Sequence, residues 1–408
     1  MFLGFSFFFV RLNHVAEYVF IGLVLIWIVE KLRTRDFHVR RTFLDVPILL
    51  FLVWVLVTVI FSVDPDYSFK EWRKALPRFL IFWFVIYTIN TENQVRSVLF
   101  ASSVGAGTLS LFEVTYYLWS GGQVFDFSMS MASRAGVFTG SSQWLSTYLV
   151  MGFPIVCLGL WGERVKWVRF VYMLLVGSML GAALLVHTRA AWVAFAIELM
   201  VLGLVSTKYI RRITGLLGLF GLFLIFIFSS IGDRSFMTEL QVANPISLQT
   251  RFNTWEFAIA EMVEQPRLSM SGVGYGKHSF NKAYPDLGAG HHTHIHNMFL
   301  ARAIQLGIPG LLLFVWIFWM VVVKSFRGFH YFPHLYVGKL ALAMLLATTG
   351  LMVRNLLDDM FMGSVVYVYC LFLGLLCVTL RLHGIGSKDG NIAMSPNRIP
   401  AADGRSIS

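Results

Sequence analysis

Gly307 to Ser325 reads GIPGLLLFVWIFWMVVVKS, nineteen residues whose single charge, Lys324, stands next to the end. As a helix this run is about 28 Å long at roughly 1.5 Å per residue, close to the ~30 Å hydrocarbon core of a bilayer. Eleven further apolar blocks lie at 1–10, 14–30, 45–61, 74–90, 96–119, 143–161, 169–186, 190–206, 213–230, 339–355 and 362–382. Across the 408 residues, 57% are hydrophobic and 13% charged, and the mean hydropathy is +0.69. A soluble domain carries roughly twice that charge. The expectation is an all-α polytopic membrane protein with about twelve transmembrane helices, the first block being too short to cross unaided.

The net charge of +11 does not argue for nucleic acid, because cytoplasmic Lys and Arg orient any such protein beside anionic membrane lipids. The three cysteines, Cys157, Cys370 and Cys377, sit in apolar blocks and form no CxxC pair, which leaves no thiolate metal site. No cleavable signal is legible at the N-terminus.

Lys31, Arg33, Arg35, Arg40 and Arg41 fill one loop. Arg164, Lys166 and Arg169 fill another, Lys208, Arg211 and Arg212 a third, and Lys324, Arg327 and Lys339 a fourth. Alternating spans put all four on one side, and the positive-inside rule makes that side cytoplasmic. Both termini then lie inside. The expected organisation is nine spans within 1–230, a large external loop at 231–306, three spans within 307–382 and a disordered cytoplasmic tail at 383–408. Within the loop, Phe252, Trp255, Ile259 and Met262 recur at helical spacing, which predicts an amphipathic helix over 248–263.

Several cations fall on the outer side, where they have no orienting role. Arg189 occupies a connection of a few residues. Arg251 opens Arg251-Phe252-Asn253-Thr254-Trp255. Lys70, Arg73, Lys74 and Arg78 gather at the outer end of the fourth span, and Arg302 follows the loop. The planar fork of arginine suits bidentate capture of phosphate. The ordinary alternatives are headgroup contact for Lys70, Arg73 and Lys74, a plain loop role for Arg251, and pairing with Glu261 or Asp286 for Arg302.

The loop ends in His291-His292-Thr293-His294-Ile295-His296-Asn297. A metal site is disfavoured, because no Asp, Glu or Cys stands at ligand spacing and no HExxH occurs. Imidazole titrates near neutrality and suits a general base. His296, next to a helix start, fits that role best, whereas His291 and His292 read as loop histidines at a wet interface.

Thr188-Arg189-Ala190-Ala191-Trp192, Arg251-x-x-x-Trp255, Gly272-Val273-Gly274-Tyr275-Gly276 and His296-Asn297-x-x-Leu300 through Gly307-Ile308-Pro309-Gly310 together resemble the O-antigen ligase family. The resemblance implies a GT-C-like glycosyltransferase of the bacterial inner membrane with its active site facing the periplasm. Such an enzyme moves a glycan from undecaprenyl diphosphate to lipid A-core, with inversion and with neither cofactor nor essential metal. It further implies Arg189 and Arg251 as diphosphate-associated arginines and His296 as the catalytic histidine. The histidines before His296 depart from the family's pattern. His294, Arg302, Arg73, Lys74, Arg78 and Trp255 complete the expected substrate-binding set, with the basic cluster at the fourth span meeting acceptor phosphates. The neighbouring alternatives are an O-antigen polymerase or a pilin-glycosylating relative, and, outside the enzymes, a lipid-linked glycan transporter.

Overall fold

The computed structural model describes residues 13–35, 38–121, 136, 138–139, 141–163, 165–186, 188–205, 215, 218, 221, 246–287 and 294–384. The first apolar block, nearly all of the block at 213–230, His291, His292 and the expected tail from 385 lie outside these residues.

Thirteen helices are described. They are α1 (Asn13–Thr34), α2 (Asp45–Ile60), α3 (Pro65–Thr88), α4 (Glu92–Trp119), α5 (Ser142–Gly162), α6 (Lys166–Leu185), α7 (Arg189–Val205), α8 (Ile246–Glu264), α9 (Pro266–Ser271), α10 (Ser279–Ala283), α11 (Met298–Tyr331), α12 (Tyr336–Arg354) and α13 (Gly363–Leu382). No strand occurs among the described residues. Ten of the twelve apolar blocks coincide with helices, and six of these, α4, α5, α6, α11, α12 and α13, are long and apolar enough to cross a membrane. α2 is equally apolar but shorter.

α13 is the axis of the bundle: every residue from Ser364 to Leu380 is buried. It packs along α3, while α12 packs against α11, α5 and α7, and α4 packs against α6. Two ends can be told apart. At one, the start of α5, the end of α12 and the start of α11 meet, since Arg354 bonds the Gln143 carbonyl and Met298 N donates to Asn355 O at 2.9 Å. At the other, Arg381 donates to the carbonyls of Ile86 and Ile89.

α11 begins at Met298, nine residues before the apolar block, and is interrupted at Gly307, whose φ of 71° is left-handed. Pro309 lacks an N–H, so the Gln305 carbonyl loses its helical donor. The Gly272–Gly276 segment supplies replacements: Val273 N donates to Ile304 O at 2.8 Å and Gly274 N to Gln305 O at 3.0 Å. Trp54 Nε1 donates to Leu306 O at 2.8 Å. Close approach demands small residues, for a Cβ on Gly307 would strike the Met270 carbonyl and one on Gly272 the Gln305 carbonyl. The glycine motif is thus a strap that completes a broken helix and holds the α8–α10 segment against the bundle.

The amphipathic helix forms as expected, but with a different inner face. Among the described side chains of α8, Thr250, Thr254, Ala258 and Met262 are buried, while Phe252 and Ile259 are over half exposed. Large apolar groups of this helix face outward.

Candidate active site

His296 and Asn297 form the entry to α11. The Asn297 side chain caps the helix, accepting from Phe299 N and Leu300 N, both at 3.0 Å, a common use of asparagine at a helix start. His296, just before the cap, has φ 51°. A left-handed non-glycine residue costs of order 1 kcal/mol and tends to persist at functional sites.

His296 Nδ1 lies 3.2 Å from Asp358 Oδ1. Asp358 sits in the connection between α12 and α13, and its other oxygen accepts from Arg354 Nη2 at 3.2 Å. Arg354 is fully buried and also donates through Nε to Ser146 Oγ at 3.0 Å and through Nη2 to Gln143 O at 3.2 Å. Asp359 N donates to Asp358 Oδ1 at 3.0 Å. Burial pushes the Asp358 carboxyl up, but the hydrogen bond from His296, the charges of Arg354 and His296 and the Asp359 N–H outweigh it, holding the group at about 2. An ionised Asp358 accepts from Nδ1–H of the His296 ring and so turns Nε2 to the side away from the carboxylate.

Asn355 joins the two loops. Its carbonyl accepts from Met298 N, and its side chain accepts from Met360 N at 2.8 Å while donating to Leu351 O at 2.8 Å. Arg302 pairs with neither Glu261 nor Asp286. It turns inward, 5% exposed, and donates to Asp359 Oδ1 at 3.1 Å, Gln305 Oε1 at 2.5 Å and Phe361 O at 3.3 Å. Burial raises the Asp359 carboxyl, with the Arg302 charge opposing. The inward geometry makes Arg302 an anchor of the Asp358 loop.

Arg251 enters from α8, donating through Nη1 to Leu357 O at 2.9 Å. Its buried Nε has no acceptor among the described residues, nor has Nη1 of Arg354. Buried donors are nearly always paired, so this corner has unmet capacity for an anion. Trp255, one turn on, donates to Ile295 O at 2.5 Å and so fastens the histidine loop to α8. Arg189 is the first residue of α7. Ala191 and Ala194 of that helix cluster with Val150, and Val353 packs against them, so Arg189 arrives at the same end of the bundle as Arg354.

The His294 ring lies 6.2 Å from that of His296 and 5.2 Å from that of His278, which in turn is 6.4 Å from Tyr67. The row leads from His296 toward the outer corner of α3, where Lys282 bridges to Asp64 at 2.5 Å. Lys74, half exposed, pairs with Glu71 at 2.6 Å. Exposed Arg73 lies over the Phe69 ring at 5.6 Å. Arg78, farther along α3, has a buried Nε with no acceptor among the described residues. The basic cluster therefore does not contact the His296 centre directly. Asp358, Asp359, Arg354, Asn355 and His278 were not singled out by sequence, although an acid pair in a short outer connection is the kind of signal that marked Arg189.

Residues 174–315 match the family model described as O-antigen ligase. Residues 4–167 match a family of unknown function, DUF5935. A search of curated proteins finds no match. The first segment holds Arg189, Arg251, Trp255, His294, His296 and Arg302, and it stops short of Arg354 and Asp358. The chain has six helices long and apolar enough to cross a membrane, and its residues 174–315 are similar to the O-antigen ligase family.

Proposed function

We propose that the protein is an inverting glycosyltransferase, an O-antigen ligase that moves a glycan from undecaprenyl diphosphate to lipid A-core on the periplasmic face of the inner membrane. The observation that carries this reading is the His296–Asp358–Arg354 relay beside the unsatisfied Arg251 donor. The acceptor hydroxyl attacks the anomeric carbon, and the bond from that carbon to the diphosphate oxygen breaks on the opposite face. His296 Nε2 takes the hydroxyl proton, and Asp358 stabilises the imidazolium that forms. The departing diphosphate gathers charge, and Arg189 and Arg251 meet it more strongly in the transition state than before it. His294 lines the acceptor approach. Arg73, Lys74 and Arg78 lie outward along α3, where an acceptor carrying its own phosphates would extend.

A polymerase would use the same donor and centre with a second lipid-linked glycan as acceptor. Purified protein should be given lipid-linked glycan with lipid A-core, lipid-linked glycan alone or pilin. Conjugate with lipid A-core supports the ligase, and chain lengthening alone contradicts it.

A further inference from the structure

We propose that the end of the bundle opposite His296 carries a second binding site, in which Arg40 and Arg381 take the phosphate of an anionic lipid headgroup. The last turn of α3 organises it. Arg40 donates through Nη1 to Ile86 O at 2.9 Å, Tyr87 O at 3.3 Å and Asn90 Oδ1 at 2.6 Å. Arg381, in the last turn of α13, donates through Nη1 to the same Ile86 carbonyl at 3.1 Å and through Nη2 to Ile89 O at 3.1 Å. One oxygen thus holds two guanidinium groups side by side, and the charge of Arg40 acts on Arg381.

Cations near a helix C-terminus commonly serve its last carbonyls, and these bonds are of that kind. They occupy only part of each group. Nε and Nη2 of Arg40 and Nε of Arg381 have no acceptor among the described residues. In Arg40 those two nitrogens form an edge of the kind that takes a phosphate bidentately. Both side chains are half-buried, so the bundle holds them without enclosing them.

The acceptors that anchor them are all neutral. Among the described residues neither guanidinium has a carboxylate partner: Asp45 accepts from Thr42 and Trp83 Nε1, Glu92 holds Arg96, and Glu30 is exposed on α1. Lys31 adds a third positive charge, its Nζ 5.9 Å from the Tyr87 ring centroid, the same distance as Arg40 Cζ. Charges of one sign gathered in this way favour an anion. A phosphodiester with net negative charge supplies it. A zwitterionic headgroup does so poorly, because its ammonium meets the same cations.

Phosphate is chemistry that a lipid and the free ion share, and the surroundings favour the lipid. Leu32 and Val39, next to Lys31 and Arg40 in the chain, are 60% and 63% exposed. α13, which carries Arg381, is long and apolar enough to cross a membrane. Trp27 packs on the Tyr87 ring at 5.4 Å. Aromatic and basic side chains at the end of a span mark the water–lipid boundary, and basic pockets between such helices bind anionic headgroups.

Delipidated full-length protein should be mixed with equal amounts of phosphatidylglycerol and phosphatidylethanolamine of identical chains, and the bound lipid counted by native mass spectrometry. The expected result is retention of phosphatidylglycerol about tenfold over phosphatidylethanolamine, the scale of one charge-assisted hydrogen bond. Arg40→Gln and Arg381→Gln, which can each keep an N–H for the α3 carbonyls, should each bring that ratio toward one. Arg41→Gln, which removes an exposed charge one residue away, should leave it unchanged. Equal retention of the two lipids by the wild type would overturn the proposal whatever the variants do. A loss with Arg41→Gln as large as with Arg40→Gln would also overturn it, since general basic charge would then explain the preference. Displacement of the bound lipid by inorganic phosphate at the same concentration would overturn the assignment to a lipid.

Discussion

His296 and Asp358 lie 62 residues apart in the chain, yet Nδ1 of one stands 3.2 Å from Oδ1 of the other. The pairing decides which imidazole nitrogen is basic. Asp358→Asn keeps size and position but can present an amide N–H to Nδ1, favouring the tautomer whose lone pair faces the wrong way. The expected loss is about 10³- to 10⁴-fold in kcat, by analogy with the measured effect of such a change in a serine protease. KM for the donor should stay nearly unchanged. Steady-state transfer assays check this, and a variant with wild-type kcat removes Asp358 from the account.

Arg354 is the buried side of the same relay, and its removal is a stability matter first. Arg354→Met fills the space but leaves Asp358 without its buried counter-charge and removes the donor to Ser146 Oγ. Breaking a buried pair in this way costs about 3–5 kcal/mol. Unfolding of the purified protein in detergent should show a clear loss relative to wild type.

Acid should weaken the centre in a defined window. Asp358 is held at about 2 against an ordinary value of 3.8. Its folded value is depressed, so its contribution is complete above 3.8 and is lost as pH falls through about 2, amounting to something on the order of 2 kcal/mol. Asp359, raised by burial, acts in the opposite sense, costing stability as it ionises with rising pH. Comparing wild type with Asp358→Asn largely cancels the Asp359 effect. The stability gap between the two proteins should close as pH falls from 3.8 toward 2.

Lysine in place of either outer arginine separates charge from geometry. Arg189→Lys and Arg251→Lys keep the cation and lose the fork, and Arg251→Lys also disturbs the bond to Leu357 O. Each should lower transfer by about 10²-fold, the usual scale for losing one preorganised donor to a developing anion. Donor titration alongside turnover tells a binding loss from a chemical one.

Much of the scaffold was readable because span length is a local property. A block such as Tyr336–Arg354 announces itself by apolar composition alone, and so does the axis helix Gly363–Leu382. The place of His296 at a helix start was readable because a cap and a histidine stand side by side. Asp358, Arg354 and Asn355 were not, because their importance comes from a contact across 62 residues that no local pattern encodes. α8 shows the other limit. The apolar spacing points to Phe252 and Ile259 as its inner face, but the small residues Thr254 and Ala258 take that place, since they let the helix approach its neighbours closely. The break in α11 falls between these cases: Gly307 and Pro309 advertise an interruption, but only the strap from Gly272 to Gly276 explains how the helix continues.

The most direct test is single-turnover transfer by His296→Ala with lipid-linked donor and lipid A-core, together with donor binding by the same variant. The account predicts donor affinity near that of the wild type and transfer reduced by at least about 10²-fold, the lower scale of general base catalysis. Wild-type transfer by His296→Ala would contradict it.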